Sequence, residues 1–266
     1  MSGNRIPLKL ACLNIENSRH LSLVTAFLRQ LRADVVCLQE VYQASLPQLE
    51  RALQMRAVFV PMSDVRAADG YHIVDEPLGL MGLAVMTKLP VKQQHHRYYD
   101  RAYRRTPDQE WPIFYDQNIP NSLDRAVLWL TVEHDGQDYT IATTHFTWSQ
   151  WGDPTPKQFR DLDKMFDILA DVPPHVLCGD FNAPRGRETW RRLAERYTDN
   201  IPPEVKTTLD GRFHKAGQLE LVVDGLFSQP EYQLSGVEVI AGLSDHQAVV
   251  ADVYHRHSAA HRHRHR

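Results

Sequence analysis

A single α/β domain, built of two packed β-sheets with helices outside, is the architecture this 266-residue sequence predicts. Three observations lead there. Short apolar runs of strand length alternate with longer segments of helical periodicity. A clear hairpin interrupts that order in mid-chain. No linker, low-complexity run or short repeat divides the chain, which is long enough to bury one sizeable core.

The elements follow in order. Leu8 to Leu13 reads as a buried strand, and His20 to Leu31 as a helix with Leu21, Val24, Phe27, Leu28 and Leu31 on one face. Asp34 to Leu38 is a second buried strand, rich in β-branched residues. Leu46 to Met55 reads as a helix capped by Ser45. Gly79 to Met86 is a strand. Arg125 to Glu133 and Tyr139 to Thr144 are strands joined by the turn signal Asp135-Gly136. Pro156 to Leu169 is helical, with Phe159, Leu162, Phe166 and Leu169 as its apolar face. Val176 to Cys178 is a short buried strand and Glu188 to Arg196 a helix. Leu221 to Phe227, Tyr232 to Ile240 and Ala248 to Tyr254 complete the strands. The polar, aromatic stretch from Gln93 to Leu123 reads as the main irregular segment.

Composition narrows the class. Apolar residues make up 42% and charged residues 24%, as in a soluble globular protein. No apolar run approaches bilayer length, and the N-terminus lacks the pattern of a secretory signal. Cys12, Cys37 and Cys178 each sit in an apolar strand without ligand spacing, as buried free thiols of a reducing compartment would. A cytoplasmic monomer without stable membrane association is the expectation. The closing His-Arg alternation, His261 to Arg266, reads as an affinity tag. The expected domain is therefore residues 1–257, followed by a disordered tail, 258–266. Without the tail's three arginines, 27 Lys and Arg face 33 Asp and Glu, a formal charge of −6. So acidic a chain has no global pull on nucleic acid, and a polyanion needs a local patch or a metal to hold it.

The polar residues with chemistry share one address. Asn14 and Glu16 follow the first strand and Glu40 the second; His145 ends the Tyr139 strand. Asp180 and Asn182 follow the Val176 strand, Asp224 lies in the Leu221 strand, and Asp245 and His246 precede the last. Strand ends are where such folds carry sites. Carboxylates and an amide oxygen are hard ligands suited to Mg²⁺ or Mn²⁺, and histidines with spare carboxylates move protons. No nucleophilic Ser or Cys elbow appears, so water is the expected nucleophile, with a metal stabilising charge. Taken singly, an Asp after a strand is most often a turn former or a cap, and a lone His a satisfied core residue. The recurrence of such residues in one order outweighs that reading.

Six segments in that order carry a resemblance: Leu13-Asn14-Ile15-Glu16, Leu38-Gln39-Glu40, Thr144-His145-Phe146, Gly179-Asp180-Phe181-Asn182, Val223-Asp224-Gly225 and Ser244-Asp245-His246. Together they resemble the endonuclease/exonuclease/phosphatase superfamily. It includes deoxyribonuclease I, apurinic endonucleases, tyrosyl-DNA phosphodiesterase of the second type, neutral sphingomyelinases, inositol-polyphosphate 5-phosphatases and deadenylases. The resemblance implies a four-layer α/β sandwich and a Mg²⁺-dependent phosphodiesterase. It implies Glu40, Asn14 and Asp245 at the metal, with Glu16 nearby. Asp180 would orient or deprotonate the water, Asn182 would donate to the phosphoryl oxygens, and His246 would contact the phosphate while Asp224 orients it. His145 stands where the nuclease I-like and tyrosyl-DNA phosphodiesterase branches carry His.

Substrate is less legible. Leu80-Met81-Gly82-Leu83 lacks the acid that deoxyribonuclease I pairs with its histidine. The motif style is closer to the tyrosyl-DNA phosphodiesterase and bacterial-type branch, which favours nucleic acid, DNA first. The alternative is a lipid or inositol phosphoester, and a pseudoenzyme is disfavoured because every motif position is filled. Arg101, Tyr103 and Arg104 belong to a basic-aromatic stretch that suits phosphates and bases, or else form a solvated insert. Trp148 and Trp151 read equally as an aromatic wall or a subsidiary core; Arg185 reads as a phosphate contact or surface charge.

Overall fold

The structure, a computed structural model, describes residues 6–65, 79–101, 121 and 123–256. Tyr103, Arg104 and the His-Arg tail lie outside these residues. Twelve strands fall into two six-stranded sheets among the described residues.

In chain order the first sheet takes β1 (Leu8–Asn14), β2 (Val35–Tyr42), β3 (Arg56–Val65), β4 (Gly79–Thr87), β11 (Tyr232–Ile240) and β12 (Ala248–His255). The second takes β5 (Val91–Asp100), β6 (Arg125–His134), β7 (Gln137–His145), β8 (Val176–Asp180), β9 (Thr198–Asp199) and β10 (Asp224–Ser228). Their spatial orders are β11-β12-β1-β2-β4-β3 and β5-β6-β7-β8-β10-β9. Each sheet has one parallel pair at its centre, β1 with β2 and β7 with β8, and antiparallel neighbours outside it.

Period-two alternation explains the layers. In β1, Leu8, Leu10 and Cys12 face the inter-sheet core, while Ala11 and Leu13 face the helices. In β2, Val35 and Cys37 point inward, and Val36 and Leu38 outward. The outward set meets Val24 and Leu28 of α1 (Leu21–Leu31) and Leu46 and Leu49 of α2 (Leu46–Leu53). Against the second sheet pack Leu162, Met165, Phe166 and Leu169 of α3 (Pro156–Ala170), with Trp190 and Leu193 of α4 (Glu188–Arg196). The result is helix, sheet, sheet, helix, the predicted four layers. The three cysteines are free and buried.

The hairpin turn is as expected. Asp135 (φ 51°) and Gly136 (φ 72°) are both left-handed, as a two-residue turn joining twisted strands requires. Other local expectations shift. Ser45 makes no capping hydrogen bond, and α2 stops at Leu53 because Gln54 turns left-handed (φ 54°). Phe159 is only half-buried, under the Arg192 guanidinium at 4.4 Å. The stretch expected to be irregular from Gln93 opens as β5, an exposed edge strand. β3 was not apparent in the hydrophobic pattern.

A buried polar contact joins the centres of the two sheets. Gln39 Nε2 of the first sheet donates to Thr143 Oγ1 of the second at 3.0 Å, both side chains fully buried.

Candidate active site

Register places the polar residues together. In the second sheet His145 pairs with Asp180, and Asp180 with Asp224, so three strands end side by side. In the first, Asn14 ends β1 opposite Gln39, and Glu40 follows at once. Because β1 and β2 are parallel, both deliver their ends to one edge.

The motif residues between these side chains hold the edge in shape. Gly179 has φ 147°, and a Cβ on it would lie 2.0 Å from the Thr144 carbonyl oxygen of the paired strand. Only glycine fits there. Phe181 is fully buried, edge-on to Phe227 (5.2 Å) and Trp190 (6.1 Å), and anchors the turn between Asp180 and Asn182. Asn182 is left-handed (φ 50°), a conformation asparagine tolerates better than most residues. Glu40 is also left-handed (φ 56°), at an irregularity between Leu38 and Val41 that turns its carboxylate toward the site.

Asp180 is the centre. Its Oδ1 accepts from the Asn182 backbone N–H at 2.8 Å and its Oδ2 from Asn14 Nδ2 at 3.2 Å. His145 Nε2 lies 3.4 Å, and His246 Nε2 3.7 Å, from the same Oδ2. Burial pushes its pKa up to about 6, against the opposing pull of His246. Glu40 is pushed up to about 7 by burial and by the neighbouring charge of Asp245.

The two histidines differ. Burial alone would lower His246, but the charges of Asp224 and Asp180 outweigh it and hold its pKa well above the ordinary value. Its Nδ1 meets Asp224 Oδ2 at 2.9 Å and Oδ1 at 3.1 Å. His145 is held well below the ordinary value by burial, then by Arg125 and His246, so it is neutral at pH 7. Its contact with Asp180 is therefore not an ion pair.

Asn14, one of the three predicted metal ligands, links the two sheets at the site. Its amide nitrogen bridges Glu40 Oε1 (3.1 Å) and Asp180 Oδ2, while its oxygen accepts from the Glu16 N–H. Glu16 itself is engaged by Arg19 (2.6 Å) and His20 (3.2 Å). Glu40, Asp245, Glu16 and Tyr42 line a recess of about 190 Å³. Glu40 and Asp245 repel one another across that acidic space, and their hard oxygens fit a divalent cation. Ligand atoms of Asp180, Asp224 and His246 also lie within 4.8 Å of each other. Their donors are largely spent on one another, so we read this trio as the proton-handling half.

A second cavity of about 420 Å³ opens on the other side of His246 and Asn182, with Trp148 and Trp151 in its wall. Both tryptophans are exposed, which excludes a subsidiary core. Arg185 is turned away: its guanidinium donates to the carbonyls of Ile201 (3.2 Å), Pro202 (3.1 Å), Pro203 (3.4 Å) and Val205. It staples a loop. Arg101 stacks over Tyr98 at 4.5 Å and lines neither cavity.

Three supporting residues escaped the sequence reading. Arg125 is buried beneath the site and donates to the His145 carbonyl at 3.0 Å. Thr208 accepts from the Val223 and Asp224 N–H groups, both at 3.0 Å, and fixes the carboxylate that pairs His246. Gln158 of α3 donates to the carbonyls of Thr147 (2.9 Å) and Asn182 (3.3 Å) and accepts from Thr189 (3.0 Å). Its position after Thr155 and Pro156 marks a helix start, not a clamp. We expect Gln158→Leu to cost about 2–3 kcal/mol, through buried groups left unpaired. It should lower kcat more than it raises KM; urea denaturation and steady-state kinetics would show both.

Asp224→Asn is expected to change the pH profile. With the charge removed, burial wins and the pKa of His246 falls, so the fraction protonated at pH 8 drops more than at pH 6. The alkaline limb of the rate profile should move to lower pH, and an unmoved limb would contradict the pairing.

Comparison with known proteins establishes the fold and the family. No curated protein matches the chain in sequence. Its fold matches an endonuclease/exonuclease/phosphatase family protein from Bacteroides thetaiotaomicron (TM-score 0.69, 14% identity, 92% of this chain and 97% of that one). It matches the human nocturnin catalytic domain with bound sulfate (0.65, 17%, 94% and 94%). It also matches D. rerio TDP2 humanized by 14 mutations (0.61, 15%, 93% and 98%). At such identities the likeness establishes fold. The family model for Endonuclease/Exonuclease/phosphatase spans residues 11–246, from the first strand to the histidine that Asp224 holds, and on that span the chain belongs to this family of phosphoester hydrolases.

Proposed function

We propose that the protein is a divalent-cation-dependent phosphodiesterase acting on nucleic acid, DNA first, by in-line attack of water. The observation that carries this is the placement of Asp180. It is a buried carboxylate of raised pKa, bridged through Asn14 to Glu40 of the acidic recess and 3.7 Å from His246 in the wall of the larger cavity.

With a pKa of about 6, Asp180 is largely ionised at pH 7 and still basic enough to take a proton from water. Asn14, His145 and the Asn182 N–H hold that carboxylate in one orientation. Asn182 spends one amide hydrogen on the Phe146 carbonyl (2.9 Å) and keeps the other for a phosphoryl oxygen. His246, cationic through Asp224, faces the same oxygens with an N–H and a positive charge. Glu40 and Asp245 would hold Mg²⁺, or Mn²⁺ in its place, which would neutralise charge on the phosphoryl and leaving oxygens. Nucleic acid is favoured by the motif style and by the fold shared with TDP2. No helix among the described residues is long and apolar enough to cross a membrane.

The test is an activity panel with Mg²⁺, Mn²⁺ or EDTA. Its substrates are single- and double-stranded DNA, abasic DNA, 5′-tyrosyl DNA, RNA, sphingomyelin and inositol polyphosphates. We expect Mg²⁺-dependent cleavage of DNA, abolished by EDTA and restored by Mn²⁺. Turnover of the lipid or inositol substrates alone would reassign the substrate, and activity indifferent to EDTA would remove the cation.

A further inference from the structure

We propose that the cavity beside His246 is a preformed slot for an uncharged aromatic substituent of the phosphate, a nucleobase. The inference rests on the phosphodiesterase reading above and supplies its substrate class.

Position comes first. His246 and Asn182, which face the phosphoryl oxygens in the reading above, also border the cavity, so a group bound there would sit next to the reacting phosphorus. The wall is otherwise Trp148, Trp151, Pro184, Leu209, Leu221 and Val223, with a few small or neutral neighbours. No lysine, arginine or carboxylate lines it. Burial pushes the pKa of its bordering His214 below the ordinary value. The nearby cations Arg185 and Arg187 are committed to carbonyls and to Asp153. A second phosphate in this cavity would find no cation in the wall other than His246, which the reacting phosphate already engages, and this disfavours inositol polyphosphates. A flat apolar ring loses nothing there.

Rigidity is the second argument. Trp148 and Trp151 are 45% and 62% exposed, yet their backbones are fixed. Asn121 makes a two-way bond with Trp148, donating to its carbonyl (2.9 Å) and accepting its N–H (2.8 Å). Trp151 sits at φ 57°, unusual for so bulky a residue, and Arg187 holds its carbonyl at 2.5 Å and Asp153 at 2.7 Å. Gly152 follows at φ 70°, where a Cβ would lie 2.3 Å from the Pro184 ring. A strained turn, braced on both sides, presents two indole faces that fill no core. Such bracing removes the ordering cost of stacking a ring.

Two measurements test this. The first compares kcat/KM for a thymidine dinucleotide and for the same backbone with both bases replaced by hydrogen. The wild type should prefer the base-bearing form by about ten-fold or more, the scale of base–aromatic stacking. That ratio should collapse toward one in Trp148→Ala/Trp151→Ala and be largely restored in Trp148→Phe/Trp151→Phe. Equal rates on both substrates in the wild type would overturn the slot and leave the phosphodiesterase reading intact. The second is a tryptophan-fluorescence titration in EDTA with thymidine 5′-monophosphate and with its base-free analogue. Quenching by the first alone, lost in the double alanine variant, supports the slot even if neither dinucleotide is hydrolysed. Identical responses to both ligands would overturn it.

Discussion

Asp180→Asn is expected to lower kcat/KM by about a thousand-fold or more, the scale of a lost general base. The substitution keeps shape and volume. Its amide oxygen can still accept from the Asn182 N–H, so the turn persists. What disappears is proton affinity, because an amide takes no proton from water near neutrality. The new amide nitrogen also faces Asn14 Nδ2, a donor against a donor, so the bridge from Asn14 to Glu40 loosens. Stability should hold or rise, since a buried carboxylate that resists ionisation is gone. Kinetics on a cleavable diester and a thermal melt would separate these effects. A variant within ten-fold of wild type would leave Asp180 without a role as base.

Gly179→Ala is expected to cost more than about 4 kcal/mol, the range reserved for severe steric or strain effects. The added methyl would stand 2.0 Å from a backbone oxygen of Thr144, and no rotamer relieves it. β8 cannot move aside, because β7 and β10 are hydrogen-bonded along its two edges. The backbone angle adds its own penalty, since φ 147° is almost closed to residues with a Cβ. Soluble yield and a denaturant midpoint would measure the loss. A midpoint equal to wild type would mean that the strands separate more freely than their register implies.

Much of this molecule was legible in its residues. β1, β2, the hairpin of β6 and β7, and α4 have apolar patterns that only one packing satisfies. The residues meeting at the site are polar interruptions at the ends of such patterns. β5 was opaque because its first seven residues, Val91 to Arg97, are exposed on both faces, and only backbone pairing with β6 makes them a strand. β3 is an edge strand of the other sheet and is only partly buried over its first half. Arg125 reads in sequence as an ordinary basic residue before an apolar run, although it lies buried beneath His145. Gln158 and Arg185 act through carbonyls far along the chain, and carbonyls have no letter in the sequence. The Asn14 bridge was not legible either, because its amide nitrogen meets carboxylates from two other strands, Glu40 and Asp180.

The contact from Gln39 to Thr143 has a wider consequence. Glu40 follows Gln39 directly, and Thr143 stands two residues before His145, so this buried bond works as a dowel pinning one half of the catalytic edge to the other. Glu40 of β2 and the Asp245-His246 pair before β12 ride on one slab, and His145, Asp180 and Asp224 on its counterpart. A slip of about 1 Å between slabs would leave every strand intact and every helix signal unchanged, yet such a displacement can cost about a hundred-fold in rate. Turnover is thus a finer gauge of slab alignment than any spectroscopic measure of secondary structure. Heat or mild denaturant should silence the enzyme while circular dichroism still reports a fully formed sandwich.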